Sequence, residues 1–245
     1  MANWSDPQVR GSAQATGTVG TRDVAFDAGL RSYMLSVYNY MASGVLLTGV
    51  VALLFAQWEG APAVLFGPGI LKWVIMLSPL AFVMVLSFGI NRLSTGAAQA
   101  LFWAFSVVMG LSMASIFFVF TGTSIATTFF ATAAAFVSLS LYGYTTKRDL
   151  SGFGTFLIMG VVGLIVAMLL NLWLQSSALQ LVISAIGVLL FAGLTAYDTQ
   201  RIKSMYAYVA GTDMIGKTVI MGALSLYLDF INMFQFLLSF LGNRE

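Results

Sequence analysis

MGALSLYLDFINMFQFLLSF, residues 221–240, is long enough to cross a bilayer as a helix and apolar enough to stay there, yet it carries a carboxylate, Asp229, near its middle. The stretch before it, AIGVLLFAGLTAYDTQ (185–200), has the same character and holds Asp198. The other seven acidic residues, Asp6, Asp23, Asp27, Glu59, Asp149, Asp213 and Glu245, fall in tails or connections. A carboxylate at membrane depth costs several kcal/mol unless it is paired, protonated or wetted, so its first reading is functional. Two in consecutive segments suggest a pair.

Working outward, 59% of the 245 residues are hydrophobic and 8% charged, far from the balance of a water-soluble domain. Seven apolar stretches reach spanning length, at about 33–56, 71–90, 97–120, 125–144, 153–174, 179–197 and 219–241. None alternates with period two, which excludes a β-barrel. The expected fold is an all-α membrane protein of seven transmembrane helices with the last one central in the bundle. Residues 33–245 form this single domain. Residues 1–32, polar and without the apolar core of a cleavable signal, form a disordered cytoplasmic tail.

Lys and Arg orient the bundle. Arg10, Arg22, Arg31, Arg92, Lys147, Arg148, Arg201, Lys203 and Lys217 fall on one side of this topology, and only Lys72 and Arg244 on the other. Nine against two places the N-terminus in the cytoplasm and the C-terminus outside. Trp58, Trp73 and Trp173 then lie near the outer interface, and Tyr142, Tyr144, Tyr206 and Tyr208 near the inner one. The connections are short apart from 201–218, so no soluble domain is attached.

Several chemistries are excluded. With no cysteine and no histidine, thiol redox work, structural zinc and imidazole relays are out. The glycines form no nucleotide fingerprint and no pair spaced four apart; most, including Gly160 and Gly163, are expected to allow close helix packing. A net charge of +2 spread over several loops argues against nucleic acid as a partner.

Within the last segment, Gly222, Ser225, Asp229, Asn232, Phe236 and Ser239 are spaced three and four apart and share one face. Such a narrow polar stripe on an apolar helix should be buried in the bundle. The matching face of the sixth segment carries Ser184, Gly187, Thr195 and Asp198. The serines and threonines read as interhelical glue and the aspartates as function. Depth is a difficulty: Asp198 falls at the end of its segment and Asp229 well inside the next, so the two can meet if the last helix starts nearer Met221 and the preceding loop folds partly inward. If they meet, two carboxylates within hydrogen-bond reach share a proton. Arg92, ending the second segment, is the candidate counter-charge, and its rigid donor fork suits a carboxylate. Pro79 is a plausible kink within that segment.

GLSMASIFFVFTG (110–122), SLYGYTTKRDLSGFG (140–154), AYDTQRIK (196–203) and GALSLYLDFINMFQFLL (222–238) resemble the Bax inhibitor-1 family, also called the transmembrane Bax-inhibitor-motif family, and its bacterial members in particular. The resemblance covers all seven segments. It implies a seven-helix fold with the last helix surrounded by the others. It also implies a pH-sensitive calcium leak across the inner membrane, gated by an aspartate pair matching Asp198 and Asp229, with an arginine latch matching Arg92. No cofactor is expected; calcium is the permeant or weakly bound ion, and protons are the signal. Ser225, Asn232 and Thr195 are candidate polar lining beside the two carboxylate ligands.

Two other classes compete. The first is a non-conducting regulator of a membrane-anchored protease. The second is an intramembrane aspartyl protease, for which Tyr197-Asp198 fits but Tyr227-Leu228-Asp229 lacks the required glycines. The favoured reading is not an enzyme.

Overall fold

In a computed structural model, residues 16–243 are described, with side chains from residue 26 onward; all of the chain's regular elements there are helical. They are α1 (Thr16–Ala56), α2 (Ala61–Phe66), α3 (Leu71–Gly89), α4 (Thr95–Met113), a 3-10 turn (Ala114–Phe118), α5 (Gly122–Thr145), α6 (Ser151–Leu174), α7 (Ser177–Val209) and α8 (Ile215–Leu241). Seven are long and apolar enough to span a bilayer, as the apolar runs predict. The short α2, with a proline in its first turn, is an extra helix inside the first connection.

The helix boundaries correct three expectations. α1 starts at Thr16, so residues 16–32 are helix rather than disordered tail; the part of the tail before Thr16 lies outside the described residues. Its first apolar residues have a partner, because Phe26 and Tyr33 pack their rings 5.0 and 5.4 Å from that of Tyr206. Tyr206 is accordingly buried, not one of an interfacial belt, whereas Tyr208 and Tyr142 are exposed as expected. The supposed long connection 201–218 is mostly helix too. α7 runs on to Val209, α8 begins at Ile215, and only a tight turn separates them. Polar residues hid this, since a helix that leaves the membrane no longer needs an apolar surface.

α8 packs against α7, α1, α5 and α4, and half of its most apolar stretch is buried, more than in any other span. α3 leans on α4 and α6 on α7. The α7–α8 pairing is the most extensive in the molecule. Gly187 on α7 leaves the space into which Phe236 of α8 fits, and Phe236 stacks on Phe191 at 5.8 Å. Near the far end of the same pair, the Ser184 hydroxyl, which donates to the Gln180 carbonyl at 2.8 Å, lies 3.1 Å from the Ser239 hydroxyl, and the Gln180 amide donates to that Ser239 oxygen at 3.3 Å, the expected polar glue. Gly160 admits Leu190 of α7 as a close-packing glycine, but Gly163 faces open space and packs against nothing. α3 carries Pro79 without interruption.

Entry to α6 is fixed by Asp149, whose carboxylate accepts the Ser151 N–H at 2.9 Å. Bonds from the Ser151 side chain and backbone hold the exposed Asp149 carboxyl below the usual carboxylate range. The sign follows: a group depressed on folding helps from ordinary carboxylate pH upward and loses its effect as acid protonates it.

Candidate functional site

The extended α7 removes the depth difficulty. Asp198 lies about three turns before the end of α7 and Asp229 about four turns after the start of α8. Because a tight turn joins the two helices, they run antiparallel and the two residues come to one level. Asp198 is the charge that acts on Asp229 across the helix pair. Asp229 is 4% exposed, and its Oδ2 has no hydrogen-bond partner among the described residues, so a carboxylate oxygen sits in the core uncompensated. Asp198 is only half-buried, and the cation acting on it is Arg201, one turn further along α7.

Arg92 forms no ion pair with either carboxylate among the described residues. It lies in the turn after α3, donating its N–H to the Gly89 carbonyl at 2.9 Å, with its side chain exposed. Arg201, exposed and three residues along α7 from Asp198, is the nearer cation in sequence, a residue the sequence reading counted only as an inner anchor. The signal was available: Asp198 and Arg201 are three apart, hence neighbours on one helix face.

The polar residues around the pair are largely satisfied within their own helices. Thr195 donates to Phe191 O at 2.8 Å and Asn232 Nδ2 to Leu228 O at 2.8 Å, leaving their remaining lone pairs available; Ser225 is half-buried on the face of Asp229. Thr199, next to Asp198, donates to Thr195 O at 2.8 Å and lies 3.2 Å from the Ser140 hydroxyl of α5. Alongside, the absent side chain of Gly143 lets α5 approach the Ala196 carbonyl of α7. Tyr197 turns the other way and covers Gly154 of α6. Two residues before Asp229, on another face of α8, fully buried Tyr227 meets the Thr48 hydroxyl of α1 at 2.6 Å, and Thr48 also donates to Ser106 O of α4 at 2.8 Å. This three-helix tie escaped the sequence reading because a lone threonine in an apolar run has no spacing signature.

Chemically, the site is two interacting carboxylates in a low-dielectric interior, one with an unmatched oxygen. A shared proton or a bound cation stabilises such a pair. Among the described residues no cluster reaches three Asp, Glu, His or Cys side chains. A calcium ion here would draw on two carboxylates, with side-chain oxygens, backbone carbonyls and water making up a coordination of six to eight.

The chain matches the family model described as inhibitor of apoptosis-promoting Bax1 over residues 30–245. It is 48% identical over 229 residues to the protein RP147 of Rickettsia prowazekii, covering 93% of this chain and 96% of that one. The inner membrane protein YbhL of Escherichia coli is 48% identical over 220 residues, 89% of this chain and 94% of its own. A protein of Caulobacter vibrioides is 46% identical over 234 residues, 91% and 93% of the two chains.

Proposed function

This integral membrane protein belongs to the Bax inhibitor-1 family, and we propose that it works as a pH-sensitive, calcium-permeable leak channel of the inner membrane, gated by the Asp198–Asp229 pair. The observation that carries the reading is a buried Asp229 whose Oδ2 is unmatched, on the helix that pairs most extensively with the one bearing Asp198. Other buried polar side chains, Thr48, Tyr227, Ser184 and Ser239, are tied into hydrogen bonds, and among the described residues only the Tyr33 hydroxyl shares the unmatched state of Asp229 Oδ2. Asp229 is left with capacity for a proton or a cation. A site of two carboxylates and weaker oxygens is loose, which suits conduction, because an ion held tightly would not leave. The membrane location is supported by the name of the inner membrane protein YbhL, and the proton input by the ability of a carboxyl pair to share a proton.

Calcium flux into liposomes holding the purified protein tests this reading. The expected result is a leak above that of empty liposomes, varying with pH. Proteoliposomes no leakier than empty ones at any pH would sink it and leave a non-conducting role, such as regulation of a membrane protease.

The proposed orientation has the N-terminus in the cytoplasm and the C-terminus outside, from the charge bias. A reporter fused after Glu245 is expected to be active only in a form that matures outside the cytoplasm, and one before Met1 only inside. Two termini on one side would overturn that orientation.

Arg92 is the proposed latch in a closed conformation that brings the turn after α3 to the pair. Arg92→Gln is expected to raise the leak at neutral and alkaline pH toward its acid level, with Arg92→Lys restoring closure only in part. Arg201 already acts on Asp198, so its loss affects a different property. Arg201→Gln is expected to change how the flux responds to pH while leaving the Arg92 closure in place. Flux against pH in both variants separates the roles. A wild-type profile in Arg92→Gln would make Arg92 an interfacial anchor.

A further inference from the structure

A cavity of about 770 Å³ separates α1 from α5. One wall is α1 from Arg31 to Leu46, the other α5 from Phe129 to Tyr144, and Phe230 of α8 forms part of the floor. The two walls make at most marginal direct contact with each other. Small residues, Ala42 on one side and Ala133 on the other, keep the slot open. A slot of this size at membrane depth is not left empty, because its lining would forfeit contact with any neighbour.

The chemistry of the slot changes along its length. Its body is hydrocarbon, and the Ser140 hydroxyl there is already engaged by Thr199. Its polar end carries Arg31, which is exposed and forms no ion pair among the described residues. Tyr144, at the same end, brings Lys203 with it: Lys203 Nζ donates to the Tyr144 carbonyl at 2.8 Å and sits 4.7 Å from the centre of its ring. Each wall is about four turns long, ~22 Å. One leaflet of hydrocarbon is about half of the ~30 Å core, so a chain lying in the slot leaves several ångströms for glycerol and phosphate at the Arg31 end.

We infer that the groove between α1 and α5 is a binding site for one acyl chain of an anionic phospholipid from the leaflet at the Arg31 end, with Arg31 meeting the phosphate. The occupant follows from length and charge together. A free fatty acid brings a carboxylate but not the glycerol and phosphate that the remaining length accommodates, and a zwitterionic headgroup gains less than an anionic one from the two positive charges at the mouth. The site is separate from the carboxylate pair and does not depend on conduction.

Native mass spectrometry of the full-length protein, with phosphatidylglycerol and phosphatidylcholine of identical chains in competition, reads the inference directly. One retained phosphatidylglycerol is expected, preferred about fivefold for one well-placed cation. Arg31→Gln is expected to keep a retained lipid but lose most of the preference. Ala133→Phe, filling the slot from α5, is expected to lose both lipids, and Ala42→Phe does the same from the opposite wall should the first variant fail to fold. Helix content and thermal unfolding verify that each variant is folded. A wild type that retains neither lipid or shows no headgroup preference overturns the inference. So does an undiminished preference in Arg31→Gln, or lipid retained unchanged by a folded groove-filling variant.

Discussion

Asparagine at either position 198 or 229 is expected to remove most of the pH dependence of calcium flux in proteoliposomes, and the double variant is expected to add little. The reason lies in how the carboxylates are arranged. Asp198 acts on Asp229 across the α7–α8 pair, and Asp229 has an oxygen with no partner. Interacting acids titrate as a unit, so removing one destroys the shared behaviour rather than half of it. The direction follows from charge. Lowering the pH neutralises the pair, which weakens any carboxylate–arginine closure and at the same time weakens the hold on calcium. Opening and ion loss thus oppose each other, and an optimum at intermediate pH is the expected wild-type profile. Asparagine keeps the shape and a polar tip but cannot titrate, so each single variant is left with one uncoupled carboxyl and should lose most of the pH dependence. Two single variants with wild-type profiles would reduce the aspartates to packing residues.

A larger effect on stability is expected at Gly143. A Cβ placed there would fall against the Ala196 carbonyl, a backbone group that cannot rotate away. Gly143→Val is therefore expected to push α5 off α7, at a cost of about 1–3 kcal/mol or more for overpacking a tight contact. It should also part Ser140 from Thr199, adding part of the modest energy of an interhelical bond. Thermal or denaturant unfolding in detergent measures this. Gly163→Val is the matched control, because nothing lies near that position and it adds the same side chain to a spanning helix. Equal stability of the two variants would show that α5 and α7 part without cost.

The number and composition of the spanning helices were legible in the apolar runs because the bilayer imposes one length and one polarity on every crossing. The two aspartates were legible for the same reason, as exceptions to that polarity. What the sequence hid lies outside the hydrocarbon or depends on direction. The polar residues of 201–209 look like a loop when read by hydropathy, yet they continue α7. Arg92 shows its charge in the sequence but not its place beyond the end of α3, while Arg201 gains its role from a helical continuation that hydropathy does not record. Tyr206 looks like an interfacial aromatic until α1 is seen to run alongside it with Phe26 and Tyr33. The Thr48–Tyr227 tie joins residues far apart in sequence, and only the packing of α1 on α8 brings them together.

The length of α7 has one more consequence. Its 33 residues make an unbroken rod of ~50 Å, against ~30 Å of hydrocarbon, and the carboxylate at 198 rides on it with no hinge between the pair and the emergent end. Displacing that end by contact at Tyr206 or the turn beyond it therefore moves Asp198 as well, and the traffic runs both ways. Where the pair's proton affinity differs between two positions of the rod, a molecule that grips the emergent end more tightly in one of them changes that affinity. Protonation must in turn change the grip on that molecule by the same factor.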